Sequence, residues 1–128
     1  VTIKPTGDSI FVFVSIKNQY DGTYRSTGFF THPTASSSRA IDKDKTLTTV
    51  NLTTVVTEFV DLGGSGWLMW LTVNPDNTVT ITPKGSTASG VIQEEVNTYD
   101  PSTKTFTLNY KYSGSGGFRV VTETIKLK

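Results

Sequence analysis

The stretch from Thr105 to Leu127 reads TFTLNYKY-SGSGG-FRVVTETIKL, two runs rich in Thr, Val, Ile and aromatic residues around a connector of Ser and Gly. β-Branched and aromatic side chains favour strands because they pack well on a pleated surface. A short connector rich in Gly is typical of a β-hairpin. The stretch therefore predicts two antiparallel strands joined by a tight turn.

The same pattern continues towards the amino terminus, where strand-like runs alternate with turn sequences such as DPSTK, NPDN and DLGGSG. Asn51 and Leu52 interrupt one β-rich region, which is either a single bent strand with a bulge or a hairpin. The predicted strands are Ser9–Lys17, Thr23–His32, Thr46–Val50, Thr54–Val60, Trp67–Val73, Thr78–Thr82, Val91–Tyr99, Thr105–Tyr112 and Phe118–Leu127.

These strands predict an all-β fold, because no window of helical length carries an apolar stripe free of Gly, Pro or β-branched runs. Short turns imply that neighbouring strands pair in sequence order, as an antiparallel meander. About eight strands in a meander close most readily into a barrel, since closure removes exposed edges. A two-sheet β-sandwich is the alternative.

Size and composition limit the classes of function. The 128 residues correspond to one domain. A net charge of +1 gives no general attraction to nucleic acid, and the lack of cysteine excludes disulfides and thiolate chemistry. No run approaches the roughly 18 apolar residues of a membrane span. The chain starts at Val1 within a pattern, which we interpret as an excised mature fragment.

No residue pattern indicates catalysis or a cofactor. His32 is the only histidine, and no serine lies in a nucleophile-elbow sequence. Glu94 and Glu95 are adjacent in a predicted strand and so point to opposite faces, which does not suit the facing pair of a glycosidase. We therefore expect a protein that is not an enzyme.

Two acidic clusters are weak candidates for calcium. Asp42 and Asp44 lie in DKDKT, and Asn74 and Asp76 lie in NPDN. Both place oxygen ligands close together, but neither follows the spacing of an EF-hand, and both are ordinary turn sequences. The expectation is that no metal is bound.

Aromatic residues are the most suggestive candidates for binding, because exposed rings stack on the apolar faces of sugars. Trp67 and Trp70 are three residues apart, so we predict that they lie on opposite faces of a strand. Filling of the core is the alternative role for each ring. The candidate ligand-binding rings are Trp67, Trp70, Tyr20, Tyr24 and Phe118, and the candidate polar partners are Arg25, Arg39, Asp42 and Asn74.

Six stretches of turn and strand sequence carry a resemblance to a known family: Asn18–Tyr24, Gly28–Pro33, Arg39–Ile41, Lys45–Thr49, Asn97–Phe106 and Arg119–Glu123. Together they resemble the C-terminal β-barrel domain of surface lipoproteins from gut Bacteroidetes, which are typically encoded beside glycan-uptake systems of the starch-utilisation type. The resemblance implies a calycin-like (lipocalin-like) barrel over residues 18–128, with residues 1–17 as a linker remnant and a possible first strand. It also implies glycan capture or adhesion at the bacterial outer surface, with no catalytic residues.

The leading hypothesis is thus a non-catalytic binding module of an outer-membrane lipoprotein, with a glycan as ligand and a neighbouring domain in the same protein. A structural domain that spaces or docks that neighbour is the first alternative. A carrier of a small apolar ligand in the barrel interior is the second. Large inward side chains would disfavour the carrier, because they leave no cavity.

Overall fold

Nine strands follow one another in the computed structural model, which describes residues 16–85 and 90–128. Two short 3₁₀ turns, Ala35–Ser37 and Gly63–Ser65, are the helical elements in this part of the chain. The strands are β1 (Gly22–Thr31), β2 (Arg39–Asn51), β3 (Thr54–Glu58), β4 (Trp67–Val73), β5 (Val79–Gly85), β6 (Ile92–Gln93), β7 (Thr98–Asp100), β8 (Thr105–Gly114) and β9 (Gly117–Leu127).

All strand pairs are antiparallel, and the order across the sheet is β5-β4-β3-β2-β1-β9-β8-β6, with β7 also paired to β8. Strand β1 pairs with both β2 and β9, so the two halves of the meander meet along it. The sheet curls into a nearly closed barrel with one seam between β5 and the β6–β7 edge. The predicted all-β antiparallel barrel is confirmed, and the sandwich alternative is not adopted.

A side chain bridges the seam where the main-chain ladder is missing. The Gln93 side chain accepts a hydrogen bond from the Ile81 backbone N–H at 2.9 Å and donates one to the Val79 carbonyl at 2.8 Å. Its amide therefore satisfies two groups on the β5 edge that a neighbouring strand would otherwise pair. Main-chain bonds Val79 N–Asn97 O (2.8 Å) and Tyr99 N–Asn77 O (2.9 Å) join the same edges further along.

Large side chains fill the interior of the barrel, because inward and outward residues alternate along each strand. Aromatic rings pack at the end where β1 and β8 begin, and we call this the closed end. Tyr99 lies 4.9 Å from Tyr20 and 4.6 Å from Phe106 between ring centroids, and Tyr24 lies 5.9 Å from Phe106. All four residues are buried. The rings seal this end with a continuous apolar cluster.

One glycine is required where β1 meets β9. Gly28 has a φ of +158°, and a Cβ added there would collide with the carbonyl oxygen of Thr122 on β9. Only glycine permits so close an approach of two backbones. The sharp closure of the sheet at this point therefore depends on the missing side chain.

The interrupted region at Asn51 and Leu52 is a hairpin, which resolves the two readings of the sequence. The predicted start of its first strand at Thr46 is wrong, because β2 begins at Arg39. Charged residues between positions 42 and 45 hide the alternation in the sequence. Lys45 is buried between the buried residues Ile41 and Leu47, and its charge is compensated inside the barrel.

The prediction of one strand over Val91–Tyr99 is also wrong, because the segment breaks into β6 and β7. Glu95 has a φ of +44°, which a strand does not tolerate. The Asn97 side chain accepts a hydrogen bond from the Asn109 backbone N–H at 2.6 Å, so it takes the place of a ladder partner. Glu94 and Glu95 thus lie in the break rather than on a continuous strand.

The predicted end of the strand Thr78–Thr82 is too early, because β5 extends through Gly85. Positions 86–89, and most of the predicted strand Ser9–Lys17, lie outside the described ranges.

Candidate functional site

An open pocket lies at the end of the barrel opposite the closed end, and we call this the mouth. Its volume is about 340 Å³. Inward residues at the ends of β1, β2, β4, β8 and β9 form most of its lining, so the sheet positions these side chains, and Leu62 comes from the turn after β3. The side chains that define the mouth are Phe30, Arg39, Leu62, Trp67, Tyr112 and Arg119.

Three aromatic rings form one wall of the mouth. Trp67, at the first position of β4, packs its ring 6.0 Å from Phe59 and 5.7 Å from Tyr112 between centroids. Phe59 and Tyr112 lie 5.2 Å apart in an edge-to-face arrangement. Phe59 and Tyr112 are buried, whereas Trp67 is half-buried and lines the pocket. The wall therefore offers an indole ring held firmly from behind.

Arg39 is part of the mouth, but its donors are used within the protein. Its Nε and Nη2 each donate to a carboxylate oxygen of Asp61 at 2.6 Å, and Nη1 donates to the Ser37 carbonyl at 2.9 Å. The guanidinium also lies over the Phe30 ring, 4.4 Å from its centroid. The hydrogen bonds from Arg39 lower the pKa of Asp61 below its ordinary value. Arg39 is thus fixed as one half of a neutral pair.

Arg119 is placed differently. It faces Tyr112 across the β8–β9 ladder, and its Nη1 donates to the Gly117 carbonyl at 2.8 Å. Its guanidinium lies against Gly114, where a Cβ would collide with it. Among the described residues Arg119 forms no ion pair, in contrast to the four contacts that hold Arg39. Within residues 16–85 and 90–128, Arg119 is therefore the arginine of the mouth whose charge is not locally neutralised.

A polar network lies in the barrel interior below the mouth. Lys45 Nζ and Glu123 Oε1 are 2.6 Å apart, and both side chains have 0% exposure. Ser26 Oγ donates to Glu123 Oε1 at 2.8 Å, and the Tyr110 hydroxyl donates to Oε2 at 2.6 Å. Burial raises the pKa of Tyr110 well above its ordinary value, and the charge of Glu123 raises it further. The network is enclosed by protein, so it acts within the fold.

The structure places the predicted binding rings in three separate locations. Tyr20 and Tyr24 are buried in the closed-end cluster, with the Tyr24 hydroxyl donating to the Tyr20 carbonyl at 2.8 Å. Phe118 lies on the outer surface, 47% exposed. The two tryptophans lie on opposite faces of β4, as predicted: Trp67 is in the mouth, and Trp70 is on the outside under Lys84 Nζ, 4.0 Å from its centroid.

Only Trp67 and Arg39 of the predicted set therefore meet in one site. Tyr112 and Arg119 belong to the same site and were not predicted. The sequence does contain a signal for them, because both occupy inward positions next to the Ser- and Gly-rich hairpin turn. Knowing which end of the barrel that turn closes requires the strand register.

The candidate polar partners outside the mouth form surface ion pairs or turns. Arg25 on β1 donates to Asp42 at 2.6 Å and to Asp44 at 3.0 Å. Asn74 donates from Nδ2 to the hydroxyls of Thr78 at 3.0 Å and Thr80 at 3.1 Å. In the same turn Asp76, considered for calcium, accepts hydrogen bonds from Thr78. In the described ranges no group of three or more His, Asp and Glu residues is arranged to hold a metal ion.

Two of the residues considered for catalysis, His32 and Glu94, have structural partners, as does Glu58 on β3. His32 Nδ1 accepts a hydrogen bond from the Thr34 backbone N–H at 2.9 Å. Glu58 pairs with Lys43 at 2.6 Å, and Glu94 pairs with Lys111 at 2.7 Å. None of the helical turns in the described residues has the length and apolar character needed to cross a bilayer.

The fold and the mouth define a class of protein: a nearly closed antiparallel barrel with a filled interior and an aromatic, cationic pocket at one end. The family follows from comparison with known proteins. A family model for a C-terminal domain, with the description "-like, C-terminal", matches residues 9–128. The chain belongs to that family. No curated protein matches the chain.

Two solved structures from Bacteroides ovatus share the fold. One is a protein of unknown function, with a TM-score of 0.62 and 14% identity over 88% of this chain. The other is a multidomain protein that includes DUF1735, with a TM-score of 0.57 and 13% identity over 86% of this chain. This chain spans 42% of the first and 57% of the second. At this level of identity the likeness shows that the three proteins share a fold.

Proposed function

We propose that the domain is a non-catalytic module that binds glycans at its mouth, as part of a lipoprotein on the bacterial outer surface. The observation that carries the proposal is the half-buried Trp67 ring, which lines an open pocket and is backed by Phe59 and Tyr112. A ring that is fixed from behind and accessible from the front can stack on the C–H face of a pyranose at little entropic cost.

The surroundings of Trp67 suit a sugar better than a purely apolar ligand. Binding sites combine an apolar wall with a few polar groups that fix orientation. The mouth contains guanidinium groups from Arg39 and Arg119, and the side chains of His32, Ser37 and Ser65 also line it. Sugar hydroxyls are suitable partners for these donors and acceptors.

The filled interior disfavours the alternative of an apolar ligand carried in the barrel. The largest fully buried side chains include Tyr24, Tyr110, Phe59 and Phe106. They occupy the space in which a lipocalin-type ligand would lie. Support for the surface location is the resemblance in sequence to surface lipoproteins of gut Bacteroidetes.

The test is a screen of the 128-residue chain on a glycan array, followed by calorimetry on each positive glycan. We expect Trp67→Ala to weaken binding by about 5- to 30-fold, because one lost stacking ring is worth on the order of 1–2 kcal/mol. Trp70→Ala is the matched control, since it removes the other tryptophan from the outer face of the same strand.

Three results would count against the proposal. Absence of binding to any glycan would reject it, as would equal affinity for Trp67→Ala and the unmodified chain. Loss of binding in Trp70→Ala alone would place the site on the outer face. Melting temperatures of both variants show whether a loss reflects unfolding.

Docking of a neighbouring domain is a second candidate, favoured by exposed apolar side chains on the outer face of β1, β9 and β6, which we call the stripe. The stripe consists of Phe29 (46% exposed), Val120 (40%), Phe118 (47%) and Ile92 (45%). On the intervening strand β8 the outward residue is Lys111, which lies opposite both Val120 and Ile92 and has its Nζ 4.7 Å from the Phe118 ring centroid. Exposed apolar side chains grouped on one face in this way mark interaction sites.

The occupant we propose for the stripe is an adjacent domain of the same protein, because the solved relatives extend well beyond this fold. Titration of the chain with that domain measures the contact directly. Phe29→Thr should weaken it, and Thr27→Ala, on the same strand and face, should not. Self-association of the chain through the stripe would instead identify a second copy as the partner and contradict this candidate.

A further inference from the structure

We infer that the mouth selects saccharides bearing an anionic group, a carboxylate or a sulfate, and that Arg119 binds this group. The inference rests on the proposed function and adds the chemical class of the ligand. It is based on the unequal partners of the two arginines in the mouth and on the charges of the pocket lining.

Arg39 cannot provide this selectivity while it stays paired. All three of its guanidinium nitrogens donate to Asp61 or to the Ser37 carbonyl. Both oxygens of Asp61 accept from it, so the pair is bidentate and has no net charge. A ligand anion would have to displace Asp61, which has side-chain exposure of only 22%.

Arg119 retains most of its hydrogen-bonding capacity. A guanidinium has five N–H donors in a planar fork that matches a carboxylate, and the described residues use one nitrogen, Nη1, on the Gly117 carbonyl. Gly114 has no side chain, so the guanidinium packs directly against its backbone. The residue is thereby oriented without being neutralised.

The charge of the lining points in the same direction. No Asp or Glu side chain lines the mouth in the described part of the chain, whereas Arg39, Arg119 and His32 do. Because Asp61 neutralises Arg39, the described residues leave the pocket with an excess positive charge from Arg119. A pocket with walls of low dielectric concentrates this field and favours an anion over a neutral analogue.

The positions of Arg119 and Trp67 suit a single sugar residue or two neighbouring ones. Tyr112 lies between them, 5.7 Å from Trp67 between centroids and opposite Arg119 in the strand ladder. A pyranose stacked on Trp67 would therefore direct an exocyclic anionic group towards Arg119. We assign stacking to Trp67 and anion recognition to Arg119.

The test uses an array that carries oligogalacturonates, their methyl esters, sulfated glycosaminoglycan fragments, and neutral starch and xylan fragments. We expect binding to oligogalacturonates or to sulfated fragments and much weaker binding to the methyl esters and neutral glycans. The two acidic arms distinguish carboxylate from sulfate as the recognised group. Higher salt should weaken the binding of acidic glycans, because it screens the charge.

Arg119→Gln should weaken binding of the acidic glycan by about 10- to 100-fold, the size expected for one charge-assisted hydrogen-bonding partner. It should weaken binding of a neutral glycan much less, because the glutamine amide can still donate to a sugar hydroxyl. Lys126→Gln is the matched control, since it removes one positive charge from the exposed face of the same strand. Arg119→Lys retains the charge but not the planar fork, so intermediate affinity would indicate bidentate recognition.

The outcomes separate this inference from the proposed function. Binding of neutral glycans as tight as that of acidic ones, or an acidic preference that survives Arg119→Gln, would overturn the inference and leave glycan binding intact. Absence of binding to every glycan on the array would reject the proposed function, and this inference with it.

Discussion

Replacing Lys45 with methionine tests the buried polar network most directly. Methionine has a similar length and volume, so the substitution removes the ammonium group and little packing. It leaves the Glu123 carboxylate, with 0% exposure, without its cation. The hydroxyls of Ser26 and Tyr110 remain as hydrogen-bond donors to that carboxylate.

The expected loss in the free energy of unfolding is large. Removing one partner of a buried ion pair typically costs about 3–5 kcal/mol, because the other charge stays buried without compensation. The two remaining hydroxyl donors stabilise the carboxylate, so we expect about 3 kcal/mol, towards the lower end of that range. Since a domain of this size has on the order of 5–15 kcal/mol of stability in total, the variant should still fold.

Urea unfolding followed by tryptophan fluorescence and by circular dichroism provides the measurement. The matched control is Lys43→Met, two residues along β2, where the pair with Glu58 is partly exposed at 41% and 19%. A pair of this kind contributes less than about 1 kcal/mol. Together with Glu123→Gln, Lys45→Met completes a double-mutant cycle, for which we expect a coupling energy of about 2 kcal/mol.

A loss below about 1 kcal/mol in Lys45→Met would refute the reasoning, and so would equal losses in Lys45→Met and Lys43→Met. Either result would mean that the ammonium group is not enclosed as the 0% exposure indicates. A coupling energy near zero would show that Lys45 and Glu123 act independently in spite of their 2.6 Å separation.

Three further predictions concern closure of the barrel and its acid stability. Gly28→Ala should lower the free energy of unfolding by at least about 2 kcal/mol, because the added Cβ would collide with the β9 backbone. The control is Gly64→Ala, which should change the melting temperature little because a Cβ there meets open space. Gln93→Leu should speed amide hydrogen exchange at Ile81, because that N–H loses its acceptor across the seam; unchanged exchange would contradict the bridging role. Because the pKa of Asp61 is lowered, its carboxylate stabilises the fold at pH values above the ordinary pKa of 3.8, and this contribution is lost as the pH falls through the lowered pKa. Asp61→Asn should therefore make the free energy of unfolding, measured in urea, depend less on pH in the acid range.

The strands that alternate cleanly were predictable from the sequence, and those that contain charge inside the barrel were not. Val79 and Ile81 on β5 are buried as the alternation predicts. Lys45 breaks the same pattern on β2, since it is a charged residue at an inward position. Its burial could not be predicted, because its carboxylate partner Glu123 lies 78 residues away along the chain. Polar residues at inward positions are thus the main reason that the start of β2 was placed incorrectly.

The candidate site was predictable only in part for a similar reason. The period of a strand assigns Trp67 and Trp70 to opposite faces, but it does not say which face is inward or which end of the barrel is open. Tyr24 illustrates the difficulty, because the sequence offers it as a candidate binding ring on the same grounds as Trp67. In the structure it is buried in the closed-end cluster. Only the register of β8 against β9 brings Arg119 opposite Tyr112 and so completes the mouth.

The buried network and the mouth are connected through packed rings, which leads to a final prediction. The Tyr110 hydroxyl is bound to Glu123, its ring lies 5.2 Å from Phe59, and Phe59 lies 6.0 Å from Trp67. Well-packed interiors transmit small displacements because they leave little free volume. We therefore expect that the hydroxyl of Tyr110 fixes the orientation of Trp67 as well as contributing to stability.

Tyr110→Phe and Tyr24→Phe form a matched pair that tests this connection. Each removes one buried hydroxyl hydrogen bond, to Glu123 at 2.6 Å and to the Tyr20 carbonyl at 2.8 Å respectively, so each should cost about 1–2 kcal/mol. Only Tyr110 contacts the rings behind Trp67. In a Trp70→Phe background Trp67 is the only tryptophan. The anisotropy of its fluorescence should decay faster in Tyr110→Phe and stay unchanged in Tyr24→Phe. Equal decay in the two variants would show that the network stabilises the barrel without ordering the mouth.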